Sequence, residues 1–143
     1  MAKLLQFETG VVEYDINGAA TVRFNPADET FTRKLYETVA LLEGIQDRTA
    51  SDSTPFDSFG DLDAEMREAI DELLGEGVAD ALFPGMNCYA IADGFPVWMN
   101  LVMALVDEVT EAYAREFGKT DARIKAYSGK YDAMFAKYRK GKK

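Results

Sequence analysis

Residues 11–26 read VVEYDINGAATVRFNP, and this stretch decides how the chain begins to fold. Two runs rich in β-branched and aromatic residues flank Asn17-Gly18, a dipeptide that favours a tight hairpin turn. A two-residue turn would pair Tyr14 with Thr21 and would leave the apolar side chains on opposite faces. A three-residue loop places all the apolar side chains on one face. The sequence therefore predicts a β-hairpin with an odd-length loop and one apolar face made of Val12, Tyr14, Val22 and Phe24.

On either side of this hairpin the pattern changes. Leu4–Glu8 is a candidate for a further strand, and Asn25-Pro26 ends the hairpin. Beyond it, apolar residues recur every three or four positions, which is typical of amphipathic helices. This spacing predicts helices over residues 27–46, 61–74, 96–117 and 120–138, with a short helical turn at 78–83. Residues 47–60, rich in Asp, Ser and Thr, are expected to form an exposed loop, and Gly118 is expected to interrupt the helices on either side of it.

Together these elements predict an α+β fold that is predominantly helical. An N-terminal β-hairpin or small antiparallel sheet is followed by about four helices. Residues 1–118 are expected to form a single globular domain, and residues 119–143 a basic C-terminal helix with a frayed end. The most apolar stretch, Phe95–Val106, is shorter than the roughly 20 residues of a membrane span, so no membrane association is expected. The expected core includes Leu35, Val39, Ile70, Leu73, Leu101 and Leu105.

The formal net charge is −9, and it is distributed unevenly along the chain. Residues 1–114 contain 22 of the 25 acidic residues and 6 of the 16 basic residues, a balance of −16. Residues 115–143 contain the other 3 acidic and 10 basic residues, a balance of +7. Because an acidic surface repels phosphate, the body of the protein is not expected to bind nucleic acid.

Side chains that commonly carry catalysis or bind metals are scarce. The chain has no histidine, so it lacks the commonest general base and the commonest transition-metal ligand. The single cysteine, Cys88, has apolar neighbours that indicate buried packing rather than a nucleophile. Asp61, Asp63 and Glu65 lack the glycine of a calcium loop, and we interpret them as first-turn acids that complement a helix dipole. We therefore expect no catalytic residue, no cofactor and no metal site, and a protein that is not an enzyme.

Aromatic residues near the C-terminus indicate a packing surface instead. Tyr127, Tyr131, Phe135 and Tyr138 recur at helical spacing and so share one face of the last predicted helix. Such a face can pack on the domain, on a second copy or, with its interleaved lysines, on single-stranded nucleic acid, and packing against protein is favoured. Trp98 is either a core residue or an interface anchor. The candidate protein interface therefore consists of Phe95, Trp98, Met99, Tyr127, Tyr131, Phe135 and Tyr138.

One pattern resembles a known family. Residues 70–77, IDELLGEG, are followed by Ala79-Asp80, Leu82-Phe83 and Asn87. With Asn25-Pro26 and the apolar helix after Phe95-Pro96, this arrangement is similar to the siphophage-type tail assembly chaperones, small proteins encoded before the tape-measure protein. The likeness covers roughly residues 11–115 and consists of apolar positions and glycines. It contains no catalytic signature and carries no functional residue across.

The resemblance implies a non-enzymatic, mostly helical protein that binds the tape-measure protein and the tail tube protein during tail assembly. Such a protein would self-associate, act in the cytoplasm of the bacterial host and be absent from the mature virion. A frameshifted, longer form is known in the family. The alternatives are a structural tail or head–tail joining component of a phage, and a regulatory protein-binding module. The hypothesis that we rank last is an enzyme with an unrecognised carboxylate site.

Overall fold

A computed structural model describes the backbone of residues 1–50 and 55–141, and the side chains of residues 1–41, 61–126 and 129. Within these residues a two-stranded antiparallel sheet is followed by four helices, so the predicted α+β, mostly helical class is confirmed. The elements in chain order are β1 (Val12–Ile16), β2 (Ala20–Phe24), α1 (Glu29–Ala50), α2 (Pro55–Leu74), α3 (Val78–Leu82), β3 (Ile91–Ala92), β4 (Phe95–Pro96) and α4 (Val97–Gly141).

The N-terminal hairpin has the predicted odd-length loop. Tyr14 pairs with Val22, and three residues connect the two strands. Asn17 and Gly18 both have positive φ, a conformation that Asn and Gly adopt more readily than other residues. Val22 is buried, and the Phe24 ring stacks on Tyr14 at a centroid distance of 4.5 Å. The apolar face is therefore the inward face, although Val12 at its end stays 40% exposed.

The predicted strand at Leu4–Glu8 is wrong, because no regular structure is assigned before Val12. The hairpin is instead completed by stacking on a helix, since Phe24 also stacks on Phe31 of α1 with centroids 4.0 Å apart. Asp28 caps the first turn of α1, because its side chain accepts a hydrogen bond from the Thr30 N–H.

Helices α1 and α2 are both longer than their predicted spans. The expected loop over residues 47–60 is wrong at 47–50 and 55–60, which are helical, and its middle part, 51–54, lies outside the described residues. The acids Asp61, Asp63 and Glu65 consequently lie well inside α2 and not in its first turn, so their interpretation as first-turn acids is also wrong. The predicted short helix at 78–83 is confirmed as α3, and left-handed φ values at Gly75 and Gly77 separate it from α2.

The core lies among α1, α2, α3, β2 and the first part of α4. Leu35, Ile70 and Leu105 are buried as expected, whereas Val39, Leu73 and Leu101 are only half-buried. On α4 the buried positions recur at helical spacing and include Val102, the residue after Leu101. Leu101 therefore lies at the edge of the buried face. These buried positions are Trp98, Val102, Leu105, Val109 and Ala112.

A two-residue turn at Asp93-Gly94 joins β3 to β4, and α4 follows directly. The predicted interruption at Gly118 and the separate helix over 120–138 are wrong, because α4 continues through Gly118 to Gly141. The good helix formers Arg115, Glu116 and Lys119 lie within three residues of the glycine, and Lys119 forms an ion pair with Glu116 at 3.7 Å across it. The chain forms two compact units, Met1–Val109 and Thr110–Lys143.

Candidate protein-binding surfaces

Arg67, on α2, forms several hydrogen bonds through its side chain. Its guanidinium donates to Asp63 one turn earlier at 2.9 Å and to Asp80 on α3 at 2.9 Å. It also donates to the backbone carbonyls of Phe83, at 2.8 Å, and Met86. Because guanidinium presents several donors in a fixed plane, one side chain can join a helix, a second helix and the turn after it. These hydrogen bonds hold residues 83–88 in place against α2, so we interpret the role of Arg67 as stabilising the fold.

Asp63 belongs to the same cluster and accepts hydrogen bonds through both of its carboxylate oxygens. Its Oδ1 accepts a hydrogen bond from the Cys88 N–H at 2.8 Å, while Oδ2 accepts from Arg67. Burial alone would raise the pKa of Asp63. This effect is smaller than the combined effect of the hydrogen bonds from Cys88 and Arg67 and the positive charge of the guanidinium. The pKa of Asp63 is therefore lowered. The carboxylate is therefore charged at neutral pH and accepts hydrogen bonds from two segments that are far apart in sequence.

Cys88 is fully buried in this cluster. Burial is the main cause that raises the pKa of its thiol, and the neighbouring Asp63 carboxylate raises it further. A reactive cysteine needs a lowered pKa and access to solvent, and Cys88 has neither. Within the described residues, no group of three or more His, Cys, Asp or Glu side chains is arranged to hold a metal ion.

An open groove of about 530 Å³ runs between α1 and α2, and we call it the α1/α2 groove. Its buried or apolar lining consists of Thr38, Leu41, Ala69 and Leu73. Charged side chains also line it, namely Lys34, Glu37 and Glu72. Leu41 is 47% exposed, so a large apolar side chain lies uncovered in the groove.

A second groove, of about 380 Å³, lies between the hairpin turn, the residues after α3 and the first turns of α4. We call it the α3/α4 groove. The hairpin contributes Ile16, and the α4 side consists of Val97, Asn100, Leu101 and Ala104, which recur at helical spacing. The opposite side includes Leu82, Phe83 and Met86. The lining is mostly apolar, and Met86 is 43% exposed.

The candidate interface residues are not brought together as one surface by the described part of the chain. Trp98 is 3% exposed and packs edge-on against Tyr89 at 5.8 Å, so it is a core residue of this chain. Phe95 is 45% exposed, and Met99 is half-buried. The remaining candidates lie on α4 outside the residues whose side chains the structure describes: Tyr127, Tyr131, Phe135 and Tyr138.

Sequence reasoning missed the Arg67 cluster and both grooves. The four-residue spacing of Asp63 and Arg67 is a visible signal for an ion pair within one helix. The hydrogen bonds from Arg67 to Asp80 and to two backbone carbonyls form because α3 and the turn after it pack against α2. No local sequence pattern predicts this packing. The grooves likewise arise where separate elements meet.

No described helix has a stretch long and apolar enough to cross a membrane. No family model, no curated protein and no solved structure matches this chain.

Proposed function

We propose that this protein is a non-enzymatic phage tail assembly chaperone that binds the tape-measure protein during tail morphogenesis. The observation that carries the proposal is the α1/α2 groove, with uncovered Leu41 beside Ala69 and with Lys34, Glu37 and Glu72 around them. A groove between two helices with an apolar floor and charged surroundings fits the apolar face of an amphipathic helix. A tape-measure protein is a long, helical client that offers such faces repeatedly.

The chemistry of the groove suits reversible binding. Burial of one exposed Leu-sized side chain contributes about 1.5–3 kcal/mol, so one short helix segment would bind weakly and many copies could bind along a long client. The charges of Lys34, Glu37 and Glu72 would favour clients with complementary charges and would exclude others by repulsion. The strong negative charge of the domain keeps molecules with this exposed apolar surface from aggregating, because molecules of like charge repel each other.

The resemblance to siphophage-type chaperones supplies the other parts of the proposal. The protein would self-associate, would also contact the tail tube protein, and would act in the cytoplasm of the bacterial host. It would leave the tail before the virion is complete. Its uneven charge is compatible with separate roles for the acidic body and the basic residues 115–143.

The test is co-expression with a candidate tape-measure protein, which the proposal expects to be encoded next to this chain. Wild-type protein should keep that client in the soluble fraction and should co-purify with it. Leu41→Glu, which puts a charge in the groove at an exposed position, should lower the co-purified client by more than tenfold. Tyr36→Glu is the matched control, because Tyr36 is 55% exposed on the same helix and does not line the groove.

A client that ignores the wild-type protein, or that binds Leu41→Glu as well as Tyr36→Glu, would contradict the proposal. Mass spectrometry of purified virions separates the chaperone from the structural alternative. A chaperone should be missing from virions, whereas a tail or head–tail joining component would be present at a fixed copy number.

A further inference from the structure

The first nine residues form the most exposed apolar segment of the described chain, and we call Met1–Thr9 the N-terminal segment. Every residue in it is exposed, and Leu4, Leu5 and Phe7 are 80%, 87% and 80% exposed. Single exposed apolar residues are common on proteins, but three large ones within four positions are an unusual concentration of exposed apolar side chains. Its own domain leaves this segment uncovered, so a partner surface is needed to bury it.

The base of the segment is held in place while its apolar residues are not. Asn25, directly after β2, donates from Nδ2 to the Thr9 carbonyl at 2.9 Å. Gly10 has φ +74°, and a Cβ atom there would lie 2.7 Å from Asn25 Nδ2, so the close approach requires glycine. The Gly10 N–H donates to the Glu8 side chain at 2.8 Å. Leu4, Leu5 and Phe7 thus extend from a fixed point.

The α3/α4 groove offers the complementary surface. It is mostly apolar and measures about 380 Å³, which lies within the range of sites that accept a few side chains. If the segment docks as an extended strand, alternate side chains share a face, so Leu5 and Phe7 would enter the groove together and Leu4 and Gln6 would face away from it. Two apolar side chains on one face of a peptide match a groove that has apolar residues on both sides.

Charge favours the same pairing. Residues 1–7 contain Lys3 and no acidic residue, whereas residues 8–114 contain all 22 acidic residues of the acidic body and 5 basic residues. Residues 1–7, with a positive charge and no negative one, are therefore attracted to the acidic body of a second copy, and the uncharged lining of the groove does not oppose their docking.

We propose that the N-terminal segment of one copy docks in the α3/α4 groove of a second copy, with Leu5 and Phe7 entering the groove. The exchange is reciprocal, because each copy offers one segment and one groove, and a two-fold dimer buries both. This interface is separate from the α1/α2 groove, so self-association leaves the client surface open.

The test measures self-association of the full chain by sedimentation velocity over a range of concentrations. Leu5→Asp should raise the dimer dissociation constant by more than tenfold, because it removes an apolar anchor and introduces a charge that would have to be buried. Gln6→Asp adds the same charge at the next position, on the other face, and should change the constant by less than threefold. Both positions are exposed, so neither change is expected to affect folding.

A second pair of variants tests the groove itself. Ala104→Glu places a charge in the groove at an exposed position of α4 and should weaken the dimer as much as Leu5→Asp. Met103→Glu is its control, because Met103 is 39% exposed at the adjacent position and does not line the groove. A mixture of Leu5→Asp with Ala104→Glu should regain heterodimer, since one intact segment then meets one intact groove.

Three results would overturn the proposal. The first is a wild-type protein that stays monomeric at all concentrations. The second is a dimer that none of the variants weakens, which would place the interface elsewhere. The third is protection of the N-terminal segment from hydrogen exchange that does not depend on concentration, which would mean that the segment occupies the groove of its own chain.

Discussion

Helix α2 and residues 114–126 of α4 are both regular helix, yet their surroundings differ completely. In α2 the apolar stripe is buried, with Met66 and Ile70 at 0% and 1% exposure, and the helix packs against α1, α3 and β2. In α4 every residue from Ala114 to Ala126 is exposed. The side-chain contacts of this stretch include short-range ones, such as the pair of Lys119 with Glu116.

The difference shows that helical backbone and tertiary stability are separate properties. Residues 114–126 remain helical through propensity and pairs of neighbouring charged side chains, which contribute a few tenths of a kcal/mol each. In α2 most of the stabilisation comes from burial of the stripe and from the polar bonds of Arg67. Substitutions in α2 should therefore be costly, and substitutions in residues 114–126 should not.

The largest expected effect is in the buried stripe of α2. Ile70→Ala should lower the free energy of unfolding by about 2–5 kcal/mol, because it removes buried methylenes and leaves a cavity. Phe117→Ala removes a larger side chain that is 68% exposed and should change it by about 0.5 kcal/mol or less. Urea denaturation of both variants checks this, and equal losses would abolish the distinction between the two helices. Leu101→Ala, at a half-buried position, should fall between them.

The next effect concerns the polar side of α2. Arg67→Ala should lower the free energy of unfolding by about 1–3 kcal/mol, because Asp63 and two carbonyls each lose a donor. The control is Arg33→Ala, since Arg33 also pairs with an acid four residues earlier, Glu29, but at the surface. Denaturation of the Arg33 variant should coincide with that of the wild type. If the two arginine variants behaved alike, the bonds to α3 and the following turn would be unimportant.

A smaller effect depends on pH. Because the folded-state pKa of Asp63 is lowered, its contribution to stability is present above the unfolded-state value of 3.8 and is lost as the pH falls through the lower folded value. Thermal melts of wild type and Asp63→Asn from pH 6 to pH 2 should converge at the acid end. In the Arg67→Ala background the difference between Asp and Asn should shrink, because one of the interactions that lowers the pKa is gone. A difference that does not vary with pH would contradict the lowered pKa.

The smallest effect is expected in α4. Gly118→Ala should raise stability by at most about 1 kcal/mol, because alanine favours helix and its Cβ would meet nothing within 4 Å. Circular dichroism at 222 nm during a thermal melt measures this. A loss of stability on substitution would show that Gly118 is needed for a bend or a close contact, which the continuous helix does not require.

Local patterns in the sequence predicted some features well. The face-matching of Tyr14 with Val22 decided the hairpin register, because a one-residue slip would have moved every apolar side chain to the other face. Helix α2 ends at Leu74 as predicted, and Gly75 and Gly77 directly after it adopt φ values that other residues resist. The expected loop at 47–60 failed because polar composition lowers helix propensity only slightly, and residues 47–50 and 55–60 are helical.

The amino-acid sequence alone determined the hairpin, the fold class and the uneven charge, because these follow from the types of residue and their order along the chain. The tertiary structure decided which apolar residues are buried. The period of α4 admits both Leu101 and Val102 as core residues, and packing against the rest of the domain buries Val102 and leaves Leu101 beside the α3/α4 groove. The tertiary structure also leaves the apolar residues Leu4, Leu5 and Phe7 in solvent. An apolar side chain favours burial, but it is buried only where other residues pack around it.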